Sequence, residues 1–152
     1  MRVRRIGPDD PAVAGAAALV QAVYGALHAD HGLDSPSRGL DAARLAERLG
    51  EATGLLVEAS GAVAGFAFVR PSRDVAGALY LGTVATDPAL RGRGVAALLV
   101  AEAMAVAREG GWPDLVLDTF DGPGGAAGYF ARHGFAPRGT GGPIRTMGRR
   151  IA

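Results

Sequence analysis

The chain has 152 residues and a formal charge of +1, with 49% apolar residues, 20% charged residues and no cysteine. That balance describes a folded chain with its own core and excludes a disordered tail, a disulfide scaffold, thiolate metal ligation and a cysteine nucleophile; no metal site is expected. A charge near zero offers no field for nucleic acid, no apolar run reaches the roughly 20 residues of a membrane span, and Gly7-Pro8-Asp9-Asp10-Pro11 falls where a secretory leader needs its apolar stretch.

The expectation is therefore a single domain over 1–152, cytoplasmic, without a nucleic-acid or membrane partner. All 16 basic residues are arginine and asparagine is absent. With the excess of Ala and Gly, this reads as coding bias rather than chemistry.

Val3 and Ile6 suit a short first strand closed by Gly7-Pro8. Asp9 or Asp10 would cap a helix with Pro11 in its first turn, running to about His28 with Leu19, Val20, Val23 and Leu27 on one face. Residues 29–39, broken by Gly32, Pro36 and Gly39, read as a loop. Asp41 begins a short helix with Leu45 and Leu49 on one side, ended by Gly50. Leu55–Ala59 and Val63–Val69 flank Ser60-Gly61, a tight hairpin turn. Leu79–Thr86 is a further strand, ended by Asp87-Pro88. A helix from Gly94 to Glu109 carries Leu98, Leu99, Ala103 and Val106 on one stripe and stops at Gly110-Gly111. Leu115–Leu117 is a short apolar strand. Gly124–His133 is a weaker helix stopped by Gly134. Phe135 and Ile144–Ile151 supply the last strands around the segment Gly139–Pro143. The order predicts a mixed α/β layer arrangement around one sheet.

The chemistry concentrates between Val84 and Ala96. A strand ends there, and a glycine-rich loop, Arg91-Gly92-Arg93-Gly94, opens a long helix. The first amides of a helix lack intrahelical partners and carry partial positive charge. Glycines let a phosphate approach them, and Arg91 and Arg93 add fixed charge. The pattern suits a pyrophosphate. Gly92-Arg93-Gly94-Val95-Ala96-Ala97 also fits the loose dinucleotide fingerprint, with Asp118 as a ribose ligand. In that fold, however, the glycines follow the strand directly, whereas Asp87–Arg91 intervenes here, and too little chain follows for a second nucleotide-binding half.

The stretch resembles motif A of the GNAT N-acetyltransferase superfamily, Gln/Arg-x-x-Gly-x-Gly/Ala, here Arg91-Gly92-Arg93-Gly94-Val95-Ala96 after Asp87-Pro88. Leu117-Asp118-Thr119 stands where the family often has Leu-Glu-Val. Ala126, Tyr129, Phe130, Gly134 and Phe135 are similar to its Ala-x-x-Phe-Tyr-x-x-x-Gly-Phe segment. The resemblance implies a mostly antiparallel mixed sheet with helices on both faces and a splayed central strand pair. It implies acetyl-CoA as co-substrate and an acetyl acceptor that is a primary amine of a small molecule or peptide, attacked directly in a ternary complex. The backbone of Val84, Ala85 and Thr86 would pair with the pantetheine arm. The amides of Gly92, Arg93, Gly94, Val95 and Ala96 would hold the pyrophosphate. Phe130 and its helix would flank the cofactor. Many members are dimers, so a homodimer is an open expectation.

Two departures from the family pattern bear on catalysis. The tyrosine that protonates the leaving thiolate in many members corresponds to Phe130. Tyr129 is about a third of a turn away and is expected to point elsewhere. No carboxylate lies on Leu79–Thr86, where relatives often carry the base, leaving Glu58, Asp118, Asp121, His28 and His31 as candidates. His133, at a helix end, reads as structural. Asp30, Asp34 and the 139–143 glycine loop would border the acceptor, the acids suiting a cationic amine. A non-catalytic acyl-CoA-binding domain is the alternative to an enzyme.

Overall fold

The computed structural model describes residues 1–138 and 144–151. Seven strands form one sheet in the order β1-β2-β3-β4-β5-β7-β6. They are β1 (Arg2–Ile6), β2 (Thr53–Ala59), β3 (Ala62–Pro71), β4 (Ala78–Thr86), β5 (Asp114–Phe120), β6 (Ala136–Pro137) and β7 (Ile144–Arg150). Every pairing is antiparallel except that of β4 with β5. The helices are α1 (Val13–His31), α2 (Ala42–Leu49), α3 (Val95–Glu109) and α4 (Ala127–Arg132), with 3₁₀ turns at Pro36–Gly39 and Pro88–Leu90. The expected α/β layering with helices on both faces is what forms.

Alternation along the strands divides the core in two. Leu56, Phe66, Phe68 and Ala85 pack under α1 and α2 with Val20 and Leu45. Leu55, Val57, Ala67, Val69, Leu79, Leu81, Leu115 and Leu117 pack under α3 and α4. The β2–β3 hairpin turns at Ser60 (φ 52°) and Gly61 (φ 76°), the pair of positive angles that lets a two-residue turn follow the strand twist. Asp41 caps α2 by accepting the Arg44 amide at 2.9 Å.

Several boundaries differ from the sequence reading. α1 continues one turn past His28, to His31, and residues 36–39 are a 3₁₀ turn rather than open loop. Asp10 does not cap α1; its carboxylate accepts the Ala12 amide at 2.9 Å and pairs with Arg4. The buried face of α3 is Val95, Leu99, Val100, Ala103, Met104 and Ala107, with Leu98 and Val106 only half-buried. Small Ala103 and Ala107 let the helix lie close to the sheet, which turns the larger flanking residues outward. α4 is six residues long, shorter than the Gly124–His133 span. Gly139–Pro143 lies outside the described residues. Among the described residues no helix is long and apolar enough to cross a membrane.

Candidate functional site

The site begins where the sheet fails to stay closed. β4 and β5 pair only at Ala78–Asp114, Leu79–Leu115 and Tyr80–Val116. Beyond Tyr80 the strands part, and the edge of β4 from Leu81 onward loses its ladder to β5. On its other side β4 bulges: Phe66 faces Ala85 and Phe68 faces Gly82, so Thr83 and Val84 together oppose Ala67 alone. Thr83 takes the left-handed φ of 52°, unusual for a β-branched residue. Its hydroxyl lies 3.0 Å from that of buried Ser37, which ties the bulge to the 3₁₀ turn after α1.

A cavity of about 870 Å³ opens through this split. One wall is the start of α3. Asp87 caps the preceding 3₁₀ turn through the Ala89 amide at 3.0 Å, and its own amide donates to Ala64 at 2.8 Å, anchoring the loop to β3. Gly92 (φ 77°) and Gly94 (φ 83°) then reverse the chain into the helix. Gly94 stands at the cap position without a side chain, so no side chain occupies the first amides of α3. A Cβ at Gly92 or Gly94 would meet nothing within 4 Å. Glycine is needed there for its backbone angle, and the space above the amides is open.

The opposite wall is α4 and the end of β5. Phe130 is buried and packs edge-on against Phe135, with ring centroids 5.7 Å apart. Tyr129 also lines the cavity, its ring 4.4 Å from that of His133 and edge-on to Phe130 at 5.4 Å. The expectation that Tyr129 points away is corrected. α4 is so short, and so close to the cavity rim, that residues 100° apart around it both reach the wall. Burial pushes the Tyr129 phenol above its ordinary value.

The floor comes from the α1/α2 face of the sheet. Tyr80 and Phe68 lie side by side, ring centroids 6.3 Å apart. Gly82 makes room for them: a Cβ there would stand 2.6 Å from Tyr80 and 2.7 Å from Phe68. Burial, and secondly the neighbouring Asp118 carboxylate, push the Tyr80 phenol up. Tyr24 of α1 donates its hydroxyl to the Val84 carbonyl at 3.2 Å, and burial keeps its phenol protonated.

Of the five sequence candidates for a base, only Asp118 lines the cavity. It accepts the Thr146 hydroxyl at 2.8 Å. Glu58 pairs with Arg4 at 2.7 Å on the far strands, and Asp121 with Arg145 at 2.7 Å. His28 and His31 are exposed at the end of α1, outside the cavity lining. Among the expected cofactor contacts, Val84, Thr86, Arg91, Gly92, Gly94, Val95, Ala96 and Phe130 line the cavity. The Ala85 side chain is buried on the α1/α2 face, and Arg93 does not line the cavity. Asp34 lines it, paired with Arg38 at 3.1 Å, whereas Asp30 does not. Sequence reading passed over Tyr24, Arg48, Arg70, Tyr80 and Thr83. The period-two alternation of β3 and β4 places Phe68, Arg70, Tyr80 and Gly82 on one face, and that signal was available.

A model of the acetyltransferase (GNAT) family matches residues 20–135. No curated protein matches the chain by sequence at a significant level. Similar solved structures include a PaiA N-acetyltransferase from Thermoplasma acidophilum in complex with coenzyme A, at 14% identity over 99% of both chains, TM-score 0.78. An aminoglycoside 6′-acetyltransferase type Ii is similar at 14% identity over 100% of this chain and 98% of that one, TM-score 0.80. An aminoglycoside 6′-N-acetyltransferase complexed with coenzyme A is similar at 12% identity over 100% and 98%, TM-score 0.78.

Proposed function

Because the chain belongs to the GNAT acetyltransferase family, whose co-substrate is acetyl-CoA, we propose that it transfers the acetyl group to a primary amine of a small molecule or peptide. The observation that carries this reading is the parting of β4 from β5 directly beside the uncapped start of α3. A pantetheine arm entering the split finds the free edge of β4, and the pyrophosphate finds the amides from Gly94 onward, the Arg93 amide being donated to the Leu90 carbonyl at 3.1 Å. Helix amides supply partial positive charge and directed donors together, and Arg91 adds a full charge at the same rim. The backbone of Val84, Ala85 and Thr86 would pair with the arm, and the Tyr24 hydroxyl shares the Val84 carbonyl.

The reaction needs a neutral amine beside the thioester carbon. The amine nitrogen forms a bond to that carbon, the carbon–sulfur bond breaks, and the thiolate leaves with its electron pair. Asp118 would accept the proton shed by the amine, directly or through water. Tyr129 would return a proton to the sulfur: a phenol, ionising around pH 10, is protonated at neutral pH, as a donor requires. Holding amine and thioester together in one cleft supplies several kcal/mol by proximity alone. Calorimetry with acetyl-CoA, then free-thiol release with a panel of primary amines, tests the proposal. Failure to bind acetyl-CoA overturns it. Binding without thiol release from any amine favours a non-catalytic acyl-CoA-binding domain, the second reading, whose support is the apolar ring of Phe130 in place of the usual phenol.

A further inference from the structure

On the α1/α2 face of the cavity two guanidinium groups lie against aromatic rings. Arg70 sits 4.4 Å from the centroid of Tyr80, and Arg48 sits 5.6 Å from that of Phe68. Both rings and both arginines line the cavity. A guanidinium held against a ring keeps N–H groups to offer an oxyanion. Among the described residues neither forms an ion pair. Arg70 donates only to the neighbouring Pro71 carbonyl, at 3.1 Å. Of the acids nearby, Glu51 lines the same cavity and faces Arg73 at 3.6 Å, and Asp74 lies in the exposed loop after β3. Burial, and then the like charges of Arg73 and Arg48, hold the Arg70 guanidinium below its ordinary value.

Charge gathered in a cleft at a cost in self-repulsion, with hydrogen-bonding edges unfilled, suits a ligand of opposite sign. β4 lies between β3 and β5, so Arg70 of β3 and Asp118 of β5 flank Tyr80 from opposite strands within the same cavity. The Tyr80 ring thus stands between Arg70 and a carboxylate, with Arg48 beyond Phe68. Resting on the acetyltransferase reading, we infer that Arg48 and Arg70 bind a carboxylate of the acceptor, whose amine lies toward Asp118. The acceptor is then an amine that also carries a carboxylate, the two groups separated by no more than the reach across one tyrosine ring. This differs from the cationic amine that Asp30 and Asp34 suggest from sequence; Asp30 is outside the cavity lining and Asp34 is paired with Arg38.

The test uses the full chain, acetyl-CoA and matched acceptors: β-alanine, 4-aminobutyrate and the free α-amino acids, each against its own amide. Thiol release should favour the acid over its amide at least about tenfold in kcat/KM, the size of one charge-assisted hydrogen bond. Arg70→Gln and, on a separate element, Arg48→Gln should each raise acceptor KM roughly 10- to 100-fold while acetyl-CoA affinity by calorimetry stays unchanged. Arg70→Lys should recover part of the loss. Equal or better use of the amides, or no acetylation of any carboxylate-bearing amine by protein that binds acetyl-CoA, overturns the inference. Loss of acetyl-CoA binding in the unmodified protein is read without any acceptor. It overturns the acetyltransferase reading first and this inference with it.

Discussion

At position 94 two effects separate by substitution. Gly94 holds φ 83° with open space around it. Alanine there fits sterically but costs roughly 1–2 kcal/mol in the left-handed region. Gly94→Ala should therefore lose stability and keep measurable acetyl-CoA affinity. Gly94→Glu adds a carboxylate at the amides that would face the pyrophosphate, and should abolish binding in a protein as stable as Gly94→Ala. Calorimetry on the folded pair decides, and equal affinities would remove the pyrophosphate from this loop. The proton donor is tested on the opposite wall of the cavity. Tyr129→Phe keeps the stacking on His133 and removes only the hydroxyl, so turnover should fall by up to the roughly 10²–10⁴-fold that general acids contribute, with acetyl-CoA affinity intact. Phe130→Tyr should not reduce turnover. A silent Tyr129→Phe would leave the thiolate to depart unprotonated, which a thiol ionising around pH 8.5 tolerates.

At the scale of elements, the position of α3 depends on β3. A Cβ on Gly65 would stand 2.5 Å from Val95, the first residue of α3, and 3.3 Å from Leu99. Gly65→Ala should push the helix start away from the sheet, at roughly 1–3 kcal/mol of overpacking. It should weaken acetyl-CoA binding although residue 65 lies outside the cavity lining; a fall in melting temperature with unchanged affinity would show that the loop adjusts independently. The bulge has its own balance. Thr83→Val keeps the strained angle but leaves the buried Ser37 hydroxyl without its partner, a cost of about 1–3 kcal/mol. Thr83→Gly loses the same bond but relieves the backbone, and should be the milder change in thermal unfolding. These elements differ in how far sequence discloses them. Gly92 and Gly94 before an apolar helix, Asp87-Pro88, and the Ser60-Gly61 turn are local signals, so the loop, the hairpin and the layer order were legible. Alternation puts Arg70, Tyr80 and Phe68 on one face, but the bulge at Thr83 and the meeting of Arg70 with Tyr80 and of Arg48 with Phe68 depend on register between strands and on where α2 lies. No single segment encodes them. Tyr129 was misplaced for a related reason: helical periodicity fixes the angle between residues 129 and 130, but not how near the cavity a six-residue helix lies.

At the scale of the whole molecule, the first strand fastens both faces of the sheet. Arg4 reaches Asp10, before α1, and Glu58 of β2; Arg5, on the other face, reaches Glu102 and Glu109 of α3 at 2.8 and 2.6 Å. The brace spans the two helices that border the cleft: α1 supplies Tyr24, and the phosphate loop leads into α3. The Arg4 guanidinium, and secondly the Ala12 amide, hold the Asp10 carboxyl below the usual carboxylate range. A carboxyl depressed in the folded state contributes stability that is fully present above its unfolded pKa of about 3.9 and is lost as pH falls through the lower folded value. Arg4→Met removes the guanidinium and keeps an apolar stem. It should reduce stability at neutral pH and move the acid-unfolding midpoint upward. The gap between variant and native protein should close once pH falls below the folded Asp10 value, since both then carry a neutral carboxyl. Circular dichroism across an acid titration reads this directly. A constant gap down to the lowest pH would mean that Arg4 acts through packing of its stem alone, and that the brace at the start of α1 is not electrostatic.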